Sequence, residues 1–525
     1  MLAYPGQVTE KAAPEPVRAA EIIAATCLAT DLGMGFPFEH GLHGTLMAMR
    51  LANALDVGPE VETQTYFASL LMYSGCTTDA DIAARIFAGS RTDHLTPAQF
   101  GSSREAVAGV ARSLPPSGVG PPRRAYEIAR RIVPAVRFVR PHFTALCEVA
   151  EMIAERLGLP PDVHGLFAFL TERWDGKGML RRAGGEEIPL PIRIVQVARD
   201  AAYQRVLGGD DRAVEVVRRR AGHAFDPHIA ARFVEEAPEI LAAADAPASA
   251  WEGVLAAEPL PWLTLEQEGV DRALAAIGDF TDLVAPHLSG HSSGVAELAA
   301  TAARMCGFDE SDVRLTRRAG LVHDVGRAAI HPRVWQKPEA LTVDEWEQVR
   351  LHAYHGERVL LRSPLLASLA EVACAHHERL DGSGYHRRVS AASLSRPARL
   401  LAAADAFHAM CEPRPHRAAM SPQQAAEVLG EEARAGRHDS EMAAAVIEAA
   451  GQPAPQVERP AGLTEREVEV VGLLARGLQT KQVARRLAIS VKTADRHIQN
   501  AYRKMGVSTR AAATMFAMEH GLVPT

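Results

Sequence analysis

Nowhere does the chain stay apolar for the roughly 20 residues that a membrane span needs. Residues 1–11 have neither the basic start nor the hydrophobic core of a secretion signal. Both absences predict a cytoplasmic protein that makes no membrane contact. The six cysteines, Cys27, Cys76, Cys147, Cys306, Cys374 and Cys411, fall without any C-x-x-C spacing, which argues against a disulfide framework and fits reduced thiols. Aromatic residues make up only 5% of the 525. Alanine is abundant instead, a composition that favours helix over strand, and the length suggests about three domains.

Negative charge is also missing from one place. The whole chain carries −7, yet residues 462–525 hold ten Lys or Arg against five acids, so this tail is +5 and the remainder −12. A basic module on an acidic body implies that the tail binds a polyanion.

The body repeats itself. Shifted by 251 residues, Leu70-Leu71-Met72-Tyr73-Ser74-Gly75-Cys76 lies on Leu321-Val322-His323-Asp324-Val325-Gly326-Arg327, and His40 lies on His291. With an offset of 206, Leu170-Thr171-Glu172-Arg173-Trp174-Asp175-Gly176-Lys177-Gly178 lies on His376-His377-Glu378-Arg379-Leu380-Asp381-Gly382-Ser383-Gly384, and Arg199 lies on Asp405. The second copy holds His291, His323, Asp324, His352, His376, His377 and Asp405. Imidazoles and carboxylates brought from separate segments are the usual ligands of catalytic divalent ions. The first copy keeps the scaffold letters and loses the ligands, so it should keep the fold without the metal.

The segment from about 286 to 451 resembles the HD-GYP subfamily of HD-domain phosphohydrolases. It contains H-D-V-G-R at 323–327, H-A-Y-H-G at 352–356, H-H-E-R-L-D-G-S-G-Y at 376–385, A-A-D-A-F at 403–407 and R-P-H-R at 414–417, in the family's order. The resemblance implies an all-helical domain holding two or three divalent ions, Fe or Mn, and hydrolysis of cyclic di-GMP. By position, Asp324 would bridge the ions and act in catalysis with Arg327. His291, His323 and Asp405 would hold one ion, and His352, His376 and His377 the other. Arg327, Arg414 and Arg417 would grip phosphates, for which a planar guanidinium is suited. Asp381, Gly382, Gly384 and Tyr385 would shape the pocket mouth. Three letters depart from the family pattern: Arg327 stands for a lysine, His386 for the proline of G-Y-P, and His408 for a second aspartate.

In the tail, Thr464 followed by Glu467 predicts a capping box. A helix at 481–487, a turn at 488–490 and a longer helix at 491–505 capped by Ser490 form a helix-turn-helix. The words L-T-x-R-E, A-x-x-L-x-I-S-x-x-T and H-I-x-N-x-Y-x-K-M-G-V resemble the LuxR-type DNA-binding domain. That resemblance implies that Lys492, Thr493, Arg496, His497 and Gln499 face double-stranded DNA, with Lys481, Arg503 and Lys504 near phosphates or a dimer face.

The expected organisation is all-α: a flexible leader 1–20, a degenerate HD-type domain 21–245, a linker 246–262, a metal-binding phosphohydrolase domain 263–451, a linker 452–461 and a DNA-binding domain 462–525. The function these parts imply is a homodimeric transcription regulator whose metal domain hydrolyses cyclic di-GMP or a related nucleotide. Two alternatives stand beside it: a catalytically silent sensor of nucleotide or metal, and a phosphohydrolase of other nucleotides or phosphomonoesters.

Overall fold

In the computed structural model, residues 17–77, 83, 86–88, 99–116, 118–243, 249–453, 460–520 and 522 are described. Their architecture is helical. Among the described residues the one sheet is a two-stranded antiparallel ribbon, Val17–Arg18 against Thr264–Leu265. Two compact units divide the chain after Pro453.

The first unit contains both copies, and the sequence offsets become structural ones. Helices Pro59–Leu70 and Glu310–Val322 begin 251 residues apart, as do His40–Ala54 and His291–Met305, which are both 15 residues long. Each of the latter pair is entered through a left-handed residue, Glu39 (φ 73°) and Gly290 (φ 82°). Each is held at its start by a buried aspartate: Asp31 accepts from the Gly41 N–H, and Asp282 from the Ser292 N–H and hydroxyl. In the E-R-x-D-G-x-G loops, Glu172 accepts from the Arg182 N–H and Glu378 from the Arg387, Arg388 and Val389 N–H groups. A Cβ at Gly178 or Gly384 would lie 2.6 or 2.5 Å from the Cα of that glutamate, so the motif's last glycine is demanded by close backbone approach. The drop in offset means 45 extra residues in the first copy, and the insertion falls around the 36-residue helix Pro121–Arg156.

The same spacing rules build the site. Helix His291–Met305 presents Ala296, Ala299, Ala300 and Ala303 to its neighbours, and a Cβ at Gly320 would sit 2.8 Å from the Ala296 Cα. Small residues thus bring helices His291–Met305 and Glu310–Val322 together, which places His291 beside His323. At Gly326 a Cβ would collide with the His352 carbonyl, so this glycine lets the Asp324 turn lie against helix His352–Leu360.

Two expected boundaries look different in three dimensions. Residues 17–20 of the leader are not loose: Val17–Arg18 is a strand, and Ala19 and Ala20 are fully buried at the start of helix Ala19–Met34. The linker 246–262 carries helix Ala250–Ala256, whose Trp251 and Val254 are core residues. Residues 1–16 and 454–459 lie outside the described residues.

Among its described residues the second unit has four α-helices, Glu465–Ala475, Thr480–Arg486, Val491–Met505 and Arg510–Glu519. The Thr464–Glu467 capping box forms, Ser490 accepts from the Thr493 N–H, and Gly506 (φ 67°) ends the third helix.

Candidate metal centre and nucleic-acid interface

Six of the seven ligand candidates, His291, His323, Asp324, His352, His376 and Asp405, are at most 2% exposed. His377 is partly exposed. Three helices and two turns deliver them to one point. Asp324 divides its carboxylate: Oδ2 lies 2.9 Å from His323 Nε2 and 3.4 Å from His291 Nε2, while Oδ1 lies 3.3 Å from His352 Nε2 and 3.5 Å from His376 Nε2. Asp405 Oδ1 lies 3.3 Å from His291 Nε2, and its Oδ2 lies 3.8 Å from His377 Nδ1. The donor atoms of His352, His376 and His377 lie within 4.8 Å of one another, and so do those of His291, His323 and Asp324.

Five of these atoms are buried without hydrogen bonds, while His352 Nε2 and His376 Nε2 lie 3.1 Å from each other. His291 Nε2, His323 Nε2, both oxygens of Asp324 and Asp405 Oδ1 make no hydrogen bond. Leaving such groups dry and without hydrogen bonds costs several kcal/mol. A donor set of imidazole nitrogens and carboxylate oxygens with lone pairs facing one another fits divalent cations.

The other ring nitrogens settle the tautomers. His323 Nδ1 donates to the Gly320 carbonyl at 2.7 Å, His352 Nδ1 to Val349 at 2.5 Å and His376 Nδ1 to Ala373 at 2.6 Å, which leaves each Nε2 free to ligate. Burial pushes the Asp324 carboxyl up, but Arg327 and His323 outweigh it and hold the group well below the usual range. Burial depresses His377 well below the ordinary value and His376 to about 4, which favours the neutral, metal-binding form.

Around this centre, Arg327 Nη1 lies 2.7 Å from Asp324 Oδ2, with its guanidinium 5.4 Å from the Trp335 ring centroid. The Tyr385 ring stands 4.6 Å from that of His377. Arg414 pairs with Glu412 at 2.8 Å, and Glu412 in turn reaches His291. Four expected site residues are employed elsewhere. Arg417 donates to the backbone carbonyls of Ala409, Met410, Glu412 and Ala418, so it braces a turn. Asp381 accepts from Ser383 and closes its own loop. Gly382 supplies a left-handed turn (φ 76°), and Gly384 packs on Glu378. Glu412 and Trp335 escaped sequence reasoning. Glu412 had one available signal, its place one helical turn beyond His408.

In the first copy the corresponding space is filled. Met72, Tyr73, Leu170 and Thr171 stand at ligand positions, and so does Leu146, whose carbonyl meets Gly75 as that of His352 meets Gly326. Arg199, 1% exposed, reaches inward, donating to the Gly41 carbonyl at 2.7 Å and lying 5.0 Å from the Tyr73 ring centroid. A buried guanidinium thus stands at the sequence position that Asp405 holds in the second copy.

In the second unit, Ala494, Ile498, Ala501 and Met505 bury one side of helix Val491–Met505. Lys492, Arg496, Gln499 and Arg503 are exposed on the other, with Thr493 and His497 at its edge. Lys481 is exposed on the preceding helix. Lys504, expected near phosphates, is committed internally to Glu467 at 2.6 Å and the Gly462 carbonyl at 2.9 Å.

Comparison with known proteins fits this geometry. The family model for the HD domain matches residues 277–442, and that for bacterial regulatory proteins of the luxR family matches 461–517. A 3'3'-cGAMP-specific phosphodiesterase 3 of Vibrio cholerae is 27% identical over 418 residues, covering 78% of this chain and 90% of the relative. A cyclic di-GMP phosphodiesterase of Thermotoga maritima is 37% identical over 129 residues, 24% of this chain and 35% of that protein. The crystal structure of a cyclic GMP-AMP specific phosphodiesterase of Vibrio cholerae superposes with a TM-score of 0.56 at 23% identity, covering 83% of this chain and 98% of that one. Such coverage exceeds what the second copy alone contains, so the shared fold includes the degenerate half.

Proposed function

We propose that this chain, which carries an HD domain in its second half and a LuxR-type helix-turn-helix at its end and is homologous to phosphodiesterases of cyclic dinucleotides, hydrolyses a cyclic dinucleotide and regulates transcription. The observation that carries the first part is the convergence of five buried donor atoms without hydrogen bonds, from His291, His323, Asp324 and Asp405. His291, His323 and Asp405 would hold one divalent ion, Fe or Mn, and His352, His376 and His377 a second, with Asp324 shared between them. Such ions polarise a phosphodiester and acidify water, the chemistry that hydrolysis at neutral pH requires. Arg327, anchored on Asp324 beside the centre, would stabilise charge that develops on phosphorus, and Arg414, paired with Glu412, would suit a second phosphate. Tyr385 packs its ring against that of His377 at the edge of the centre. Water adds to phosphorus, one ester P–O bond breaks, and a linear dinucleotide leaves.

The second part rests on the exposed row Lys492, Arg496, Gln499 and Arg503, which suits a major groove: Arg and Gln can read base edges, and the lysine neutralises phosphate. A homodimer would place two such helices on half-sites about one helical turn apart.

The test is incubation of purified, metal-loaded protein with 3'3'-cGAMP, cyclic di-GMP and mononucleotides. Linear dinucleotide that appears with metal and disappears with chelator supports the reading. Saturable binding without product would make the chain a sensor, and turnover of mononucleotides alone would move it to another substrate class.

A further inference from the structure

Three of the four fully buried histidines of this centre fix their orientation in the same way. His323, His352 and His376 each donate Nδ1–H to the carbonyl three residues earlier, at Gly320, Val349 and Ala373, because each follows a helical turn that places this carbonyl under the ring. His291 cannot. It is the first residue of its helix, and Gly290 before it has φ 82°, so the carbonyl three residues back is out of helical register. Its Nδ1 lies instead 2.9 Å from Glu412 Oε2. Glu412 follows the last turn of helix Arg396–Cys411, seven residues beyond Asp405, and its other oxygen lies 3.2 Å from His408 Nδ1.

Resting on the metal centre argued above, we propose that Glu412 is a positioning residue for the ion held by His291, His323 and Asp405. It accepts the Nδ1 proton, directs the lone pair of His291 Nε2 toward Asp324 and Asp405, and adds negative charge behind the imidazole. Metal-binding histidines commonly rely on such a carboxylate, and its loss lowers affinity. His408 stands where the HD-GYP pattern has an aspartate, and the carboxylate is found one helical turn further on. Because Glu412 also holds Arg414 at 2.8 Å, one side chain ties a rim guanidinium to one of the two ions and leaves the His352, His376 and His377 side untouched.

The experiment is a titration of the metal-free full-length protein with Mn²⁺, following heat and bound metal, for wild type, Glu412→Ala, Glu412→Gln and Arg414→Ala. The expected result is that Glu412→Ala weakens one binding phase by roughly 10- to 100-fold and leaves the other unchanged. Glu412→Gln, which still offers an acceptor, should lose less, and Arg414→Ala should bind as wild type. The melting temperature of each metal-free variant reports folding; if Glu412→Ala does not fold, Glu412→Gln decides by its one weakened phase. Wild-type affinity in both Glu412 variants, equal weakening of both phases, or the same loss in Arg414→Ala overturns the assignment of Glu412 while the metal centre stands. A wild-type chain that takes up no ion overturns the centre itself.

Discussion

Asp324 concentrates the demands on the site in one side chain, since its two oxygens face different histidine pairs. Asp324→Ala should remove metal-dependent phosphodiester turnover by more than about 100-fold, beyond the usual cost of a supporting residue. Metal content measured beside the rate would show whether the ions leave with it. Asp31, the first copy's counterpart of Asp282, makes a prediction about pH. Burial pushes its carboxyl up to about 7, against the pull of Arg199 and the Gly41 N–H. In the unfolded chain such a group ionises near pH 4. The folded form therefore binds the proton more tightly, and the stability it contributes at low pH is lost as pH rises from about 4 through 7. Asp31→Asn should flatten that decline, so melting temperatures of mutant and wild type should shift in the mutant's favour between pH 5 and 7.5. A constant difference would show that the carboxyl ionises as an ordinary one does.

At the scale of elements, the glycines set where helices may touch. Gly326→Ala adds a methyl against the His352 carbonyl and must part the Asp324 turn from helix His352–Leu360. We expect a loss of about 1–3 kcal/mol in urea unfolding, the usual cost of overpacking, together with weakened metal uptake. In the second unit, Arg496→Ala should lower affinity for the operator more than for random DNA, whereas Lys492→Ala should weaken both alike and reduce the salt slope by about one. Fluorescence anisotropy on both duplexes distinguishes these outcomes. Helices of this kind were legible in advance because their signals are local. The Thr464–Glu467 box, the Ser490 cap and the 491–505 helix follow from neighbours three or four residues apart. The residues that gather at the candidate centre stood out too, as imidazoles and carboxylates set against a copy with other letters at most of those positions. What neighbours could not reveal is how a long side chain spends its donors. Arg417 turns to four carbonyls and Lys504 to Glu467, and Glu412 reaches a histidine 121 residues away. Such choices depend on tertiary carbonyls and carboxylates that no local spacing encodes.

On the scale of the whole molecule, the two copies are one folding body. The first residues of the described chain pair with the first strand of the second copy, Val17–Arg18 with Thr264–Leu265. Arg18 bonds Glu258, Glu21 accepts from Ser363 at 2.6 Å and Glu39 pairs with Arg362 at 2.9 Å. A single apolar core runs through both copies, from Ile22 and Leu28 to Leu400 and Val446. The first copy thus packs as a scaffold against the second, and its buried Arg199 is held by the Gly41 carbonyl rather than by any histidine–carboxylate cluster. The unit that begins at Ala454 has its own two small cores and its own caps. It follows that truncation after Pro453 should leave the melting of the first unit and its metal uptake unchanged while abolishing DNA binding. Expressing 249–453 alone should instead yield an aggregating or molten chain, since it would expose the faces that helix Ala19–Met34 covers. Circular dichroism melts of the two truncations, with and without Mn²⁺, decide this. A cooperative, metal-stabilised transition in 249–453 would mean that the second copy folds by itself and that the first serves some purpose other than support.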